Sequence, residues 1–174
     1  MKFIKRLLIL AVLVAGGLYL YGRSLPREHV ASSTIVLVAS PDTVYKVIRN
    51  VSTTPSWWSD MKGARRLTDK ARETWEENMG AAGVMHVEMT TLTEPRQVVT
   101  TIVDNEEAGW GGVWTYDITS SGSGTEVRIT EDGYVDSPIF RVLMKWMGEH
   151  RTMDSYLRSL GGHFGEMVTP RHGG

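Results

Sequence analysis

The segment from Ser137 to Leu160, SPIFRVLMKWMGEHRTMDSYLRSL, limits the possible folds of this chain more than any other stretch. Ser137 can cap a helix, and Pro138 stands at a first-turn position that needs no backbone donor. Ile139, Leu143, Trp146, His150, Met153, Leu157 and Leu160 recur at steps of four and three. That spacing predicts one apolar stripe along a single long helix. Arg141, Lys145, Glu149, Arg151 and Arg158 fall mostly on other faces, and Gly161-Gly162 supplies the stop. Side chains this large need an equally broad apolar surface to lie against. The chain from His29 to Asp136 reads as the strands that provide it.

HVASSTIVLVA predicts a first strand to Val38, with Ile35 and Leu37 on one face and Val36 and Val38 on the other. Ser40-Pro41-Asp42 starts a short helix that carries Val44, Tyr45, Val47 and Ile48 and closes at Asn50. Thr54-Pro55-Ser56 opens a further turn of helix, which delivers Trp57 and Trp58 side by side. Antiparallel strands are expected over 64–68, 72–78, 84–92, 96–104, 110–119 and 125–135. Their short connections, such as Glu94-Pro95 and Ser120 to Gly124, predict an up-and-down meander and argue against a βαβ array. The polar tail 166–174 is expected to be disordered.

Alternation within the strands points to a lined interior. Met85, Val87 and Met89 share one face, and His86, Glu88 and Thr90 the other. Trp110, Gly112, Trp114, Tyr116 and Ile118 share a face, as do Val127 and Ile129. Any one of these side chains fits an ordinary core. Together they are rich in Trp and Met, which suit a wide, adaptable interior more than a tightly interlocked one.

The N-terminus is different in kind. Lys2, Lys5 and Arg6 precede an uncharged, mostly apolar run from Leu7 to Tyr21, and Arg23 follows. A membrane anchor wants about 20 apolar residues, which Phe3 and Ile4 help to supply if Lys5 and Arg6 snorkel. Tyr19 and Tyr21 fall where interfacial aromatics sit. A cleaved signal peptide with a small-residue site at Val14-Ala15-Gly16, and a buried core helix, are the competing readings. The anchor is preferred. Positive charge ahead of the span places the N-terminus in the cytoplasm and the rest of the chain on the extracytoplasmic side.

Net charge is −1, from 19 basic and 20 acidic residues without any block of like charge, so no nucleic-acid footprint is expected. There is no cysteine, which excludes disulfides, thiol catalysis and thiolate metal sites.

The first strand, then Ser40-Pro41-Asp42-x-Val44-Tyr45, then Pro55-x-Trp57-Trp58, resemble the N-terminal signature of the SRPBCC superfamily. That group includes polyketide cyclases, START lipid-transfer domains and the pollen allergen Bet v 1. Gly124-Thr125-Glu126-Val127, Thr130-Glu131-Asp132-Gly133 and Ser137-Pro138-Ile139-Phe140-Arg141 are similar to the superfamily's last strand and long helix. The resemblance covers about His29 to Gly165. It implies an α+β helix-grip fold: a seven-stranded antiparallel sheet wrapped around a long C-terminal helix and enclosing a hydrophobic cavity. It also implies that the cavity takes a small hydrophobic molecule or lipid, with only some members acting as enzymes. An N-terminal transmembrane helix departs from the usual soluble pattern.

Three parts are therefore expected: a membrane anchor and linker, 1–28, a helix-grip domain, 29–165, and a polar tail, 166–174. The expected ligand-binding residues are Trp57, Trp58, Trp75, Met85, Met89, Trp110, Trp114, Tyr116, Phe140, Leu143 and Met147. Catalytic signals are thin. No Gly-x-Ser-x-Gly elbow exists, and Gly109-Trp110-Gly111-Gly112 lacks the spacing of a phosphate loop. His86 and Glu88 share a strand face but lack further ligands, so neither a metal nor a cofactor is expected. His150 on the helix stripe points toward the cavity, as a core histidine or as a general base. Glu131 either faces inward beside it or satisfies backbone donors at the start of the long helix. Glu131, His150 and Tyr116 are the candidates for moving a proton if the domain is a cyclase or hydrolase. The preferred reading is binding without chemistry.

Overall fold

The structure is a computed structural model that describes residues 2–122 and 124–173. Ser123 of the expected last hairpin lies outside the described residues, as do Met1 and Gly174 at the ends of the anchor and tail. A helix, α1 (Lys2–Ser24), precedes strand β1 (Glu28–Leu37) and helix α2 (Pro41–Arg49). A 3-10 turn (Val51–Ser56) leads into β2 (Gly63–Leu67), β3 (Thr74–Asn78), β4 (Val84–Thr93), β5 (Gln97–Val103), β6 (Trp110–Ser121) and β7 (Gly124–Val135). Helices α3 (Pro138–Met147) and α4 (Arg151–His163) follow, and then a short strand β8 (Arg171–Gly173).

The eight described strands form one antiparallel sheet in the order β2-β3-β4-β5-β6-β7-β1-β8. The meander from β2 to β7 is the expected one, and β1 closes on β7 with Ile35 opposite Val127 and Ser33 opposite Ile129. Ala31, Ser33, Ile35 and Leu37 of β1 are buried, whereas Val30, Val36 and Val38 are exposed, as alternation requires. Helix α2 begins at its expected cap: Ser40 Oγ accepts from the Thr43 backbone N–H, and Pro41 occupies the first turn. Val44, Tyr45 and Ile48 of α2 are buried in the core.

The expected single helix over 137–160 is two helices. Gly148 ends α3 with φ +88°, ψ 131°, a backbone conformation that a side chain opposes, and His150 precedes α4. The break divides the stripe. Met153, Leu157 and Leu160 are fully buried under the sheet, each adding roughly 1.5–3 kcal/mol of apolar burial. Ile139, Leu143 and Trp146, by contrast, are exposed. α4 alone is the gripped helix.

α3 packs against α1 instead of lying on the sheet. The contact is close, because a Cβ at Gly22 would come within 2.0 Å of the Pro138 carbonyl oxygen. Arg141 fastens the junction by donating to the carbonyls of Val135 (2.7 Å), Asp136 (3.0 Å) and Leu25 (3.2 Å). Helix α1 contains, between Phe3 and Ser24, an 18-residue window of mean hydropathy 2.0 with none of it buried, and is long enough to cross a membrane.

The tail also differs from expectation. β8 pairs with the outer edge of β1, placing His172 opposite Ser33, and the Val38 N–H donates to the Glu166 carboxylate at 3.0 Å. A three-residue strand has too little pattern to be read from sequence. It is held here by side chains that are distant in the chain.

Candidate functional site

Among the described residues, two mostly apolar cavities lie between the sheet and the helices. The inner chamber, about 80 Å³, is walled by Trp58 and Met61 after the 3-10 turn, Glu77 of β3, Met85 and Met89 of β4, Trp114 and Tyr116 of β6, and Tyr156 of α4. The outer cavity, about 460 Å³, is bounded by the β3–β4 turn (Met79 to Val84), by Trp110 and Trp114 of β6, and by Phe140, Met144 and Met147 of α3. Met79, Met85, Ile102, Trp114 and Thr152 line both, so the two are neighbouring compartments of one interior. The outer cavity alone has the size of a small-molecule site, and its walls are mostly apolar.

Trp58, Met85, Met89, Trp114 and Tyr116 line the inner chamber, while Trp110, Phe140 and Met147 line the outer cavity. Trp57, Trp75 and Leu143 line neither. Trp57 stacks edge-on against Tyr156 at 5.2 Å, with its indole N–H buried and without a partner among the described residues. Trp75 packs on the core and donates to Glu73 at 2.9 Å. Leu143 is carried on α3 and is 44% exposed. The four rings at the inner chamber form a connected group: Trp58 to Tyr156 is 5.0 Å, Tyr116 to Tyr156 is 5.5 Å, and Trp114 to Tyr116 is 6.0 Å between centroids.

The polar residues are distributed differently from expectation. His150 lines neither cavity. It stacks on His172 at 3.9 Å, and its Nδ1 is 3.4 Å from Ser33 Oγ. Ser33 Oγ donates to Asp154 at 2.9 Å, and His172 Nε2 lies 3.0 Å from the same carboxylate. Ser, His and Asp meet here, but not as a nucleophile relay. The serine is fully buried and its proton is directed at the aspartate, not at a histidine base. The cluster joins β1, α4 and β8, so it anchors the C-terminal strand.

Glu131 stands opposite Ala31 in the β1–β7 pairing and does not cap a helix, a role taken by Ser137 for α3. It faces the outer cavity with His29, whose Nε2 is 3.6 Å from Glu131 Oε1, just beyond hydrogen-bonding distance, and has no other partner among the described residues. The neighbouring Glu131 carboxylate raises the His29 pKa against the opposing effect of burial. Tyr116 is buried in the inner chamber, and desolvation pushes its phenol well above the ordinary value, so it is neutral. Neither sequence reading of Glu131, beside His150 or at the backbone donors of the helix start, describes its place, which is beside His29. His86 lies near Asp104 (3.3 Å) and Glu76 (3.8 Å), and Glu88 binds Arg72 (3.0 Å). Among the described residues, no group of three His, Asp or Glu side chains is arranged to hold a metal.

Sequence reasoning missed Glu77. Its strand, TWEEN, looks like a charged surface strand, yet Glu77 is only 8% exposed and faces the inner chamber. The signal was present in the parity: Glu77 stands two residues after Trp75, which was assigned inward. Its cross-strand neighbours are Ala64 and Met85, which offer no side-chain hydrogen bond. Burial raises its pKa from 4.5 to about 7.

Residues 28–162 match the sequence profile of the family described as polyketide cyclase / dehydrase and lipid transport. No curated protein matches the chain. Among solved structures, a START superfamily protein from Mycobacterium smegmatis superposes with a TM-score of 0.59 at 19% identity, over 78% of this chain and 96% of that one. A truncated norcoclaurine synthase from Thalictrum flavum gives 0.63 at 9% identity, over 79% and 93%. The di-domain ARO/CYC StfQ from the steffimycin biosynthetic pathway gives 0.61 at 8% identity, over 78% of this chain and 49% of that one. At these identities the superpositions establish a shared fold and nothing about substrate.

Proposed function

Because the chain belongs to the polyketide cyclase / dehydrase and lipid transport family, in the SRPBCC superfamily, we propose that it binds a small hydrophobic molecule or lipid in its paired cavities, without chemistry. The observation that carries this reading is the outer cavity of about 460 Å³, walled by Met, Trp, Phe, Ile and Val and continued inward by the aromatic chamber. Residues 29–165 form the binding domain in this reading, and α1 anchors it in a membrane with the N-terminus cytoplasmic and the domain on the extracytoplasmic side. α3 supports the arrangement: it packs on α1 and also walls the outer cavity, so the cavity lies beside the span. An apolar ligand would then have only a short path through water.

Thr152 is exposed and lines both compartments, so Thr152→Trp narrows the passage between them without disturbing the core. The wild type is expected to bind the apolar fluorophore N-phenyl-1-naphthylamine, and Thr152→Trp to lose most of that binding at unchanged thermal stability. Equal binding by both proteins would place the probe outside the cavities.

A cyclase-like enzyme using the same cavity is the second reading. His29 beside Glu131 favours it, because a histidine and a carboxylate face an apolar cavity that can hold a substrate. Turnover of a bound compound that disappears in both His29→Gln and Glu131→Gln would support the enzyme. Unchanged behaviour of both variants would leave the pair structural.

A further inference from the structure

Glu77 is a carboxyl group directed into the mostly apolar inner chamber, with no hydrogen bond or ion pair among the described residues. Placing such a group inside a protein is costly unless something compensates it. Among the described residues nothing does so: no Lys, Arg or His lines the inner chamber. Around the carboxyl stand the rings of Trp58, Trp114, Tyr116 and Tyr156. Aromatic walls with one acidic group make a surface that favours an organic cation, since ring faces and carboxylate all attract positive charge. An anion meets the reverse. The chamber's roughly 80 Å³ exceeds the space needed by one water, so it has room for the end of a ligand but not its body.

We propose that the inner chamber is a subsite for an amine, and that the ligand is an apolar molecule whose ammonium head pairs with Glu77 while its body fills the outer cavity. This inference rests on the cavity-binding reading and deepens it by assigning the ligand's polarity and orientation. The titratable side chains that share the chamber with Glu77 are Tyr116 from β6 and Tyr156 from α4. Burial raises both phenols above their ordinary values, so they remain neutral and leave Glu77 as the chamber's single source of charge among the described residues. Binding of an ammonium holds Glu77 ionised, so affinity for amines falls as the solution is acidified.

The test uses three compounds with one skeleton: 4-phenylbutylamine, 4-phenylbutanol and 4-phenylbutanoate. Each is titrated calorimetrically into the full chain in lipid nanodiscs at pH 8, with empty nanodiscs as the blank. The expected result is that the amine binds at least about tenfold more tightly than the alcohol, the size of one charged hydrogen bond, and the carboxylate most weakly. Acidification to pH 5.5 erases the amine's advantage. In Glu77→Gln the amine and alcohol bind alike, and the alcohol's unchanged affinity shows the variant to be folded. If the wild type binds amine and alcohol equally, or if the preference survives in Glu77→Gln, the amine subsite is refuted and cavity binding stands. If none of the three binds, the cavity reading fails together with the subsite.

Discussion

Replacing Glu77 by Gln tests the electrostatics of the inner chamber without any ligand. In the folded protein the carboxyl keeps its proton to about pH 7, against an ordinary value of 4.5. Between those values the folded state binds more protons than the unfolded chain, so stability falls as pH rises. At about 1.4 kcal/mol per pH unit, the fully ionised group costs about 3 kcal/mol. Gln has nearly the same shape and no charge to desolvate. Glu77→Gln is therefore expected to match the wild type below about pH 4.5, where both states of the wild type are protonated. Above about pH 8 it should be more stable by about 3 kcal/mol, or about 6–12 °C in Tm for a chain of this size. Thermal unfolding of both proteins across pH 4 to 9, followed by tryptophan fluorescence, reads the difference directly. A stability gain that does not depend on pH, or a loss at high pH, would refute the account of Glu77 as a buried carboxyl without a partner.

Two further outcomes follow from the framework around the site. Arg49 makes a two-bonded pair with Glu73 (2.8 and 2.5 Å) that ties α2 to the start of β3. Burial pushes the Glu73 pKa up, but hydrogen bonds from Arg49 and Trp75 outweigh it and leave it below 4.5. Arg49→Ala should then cost about 1–3 kcal/mol at pH 7, measured by urea unfolding, and the cost should vanish as pH falls through the Glu73 value. Gly148→Ala should lose about 1–3 kcal/mol from backbone conformation alone, since φ is +88° and a Cβ there would touch nothing within 4 Å. A neutral Gly148→Ala would mean that α3 and α4 can join as one helix.

The sheet was legible because its strands alternate cleanly. Met85, Val87 and Met89, or Trp114, Tyr116 and Ile118, need only a period of two to be assigned to one side. α2 was legible because Ser40-Pro41-Asp42 places a cap, a proline and an acid where a helix start requires them. The break between α3 and α4 was not. The apolar stripe runs through Gly148 in register, and glycine inside a periodic segment is compatible with an unbroken helix. Only the packing of α3 on α1, far away in sequence, shows why the chain turns there.

The polar part of the site was harder to read for the same reason. Glu131 was placed near the interior by parity, but its partner His29 lies on a different strand, brought adjacent by the β1–β7 pairing of Ala31 with Glu131. His150 sits on the expected stripe, yet it is held at the sheet edge by His172, whose strand β8 is too short to announce itself. Glu77 was hidden by its own chemistry. A charged residue in a strand is read as surface unless the residues that bury it are known, and here those come from β4, β6, α4 and the turn before β2.

The central claim is that the domain encloses an apolar ligand, and native mass spectrometry of the full chain, purified from cells in mild detergent and then extracted with organic solvent, tests it most directly. The account predicts an apolar molecule bound at close to one per chain and lost on extraction. A chain that is empty as purified, and whose tryptophan fluorescence is unchanged by lipids, quinones and polyaromatic probes, would contradict it.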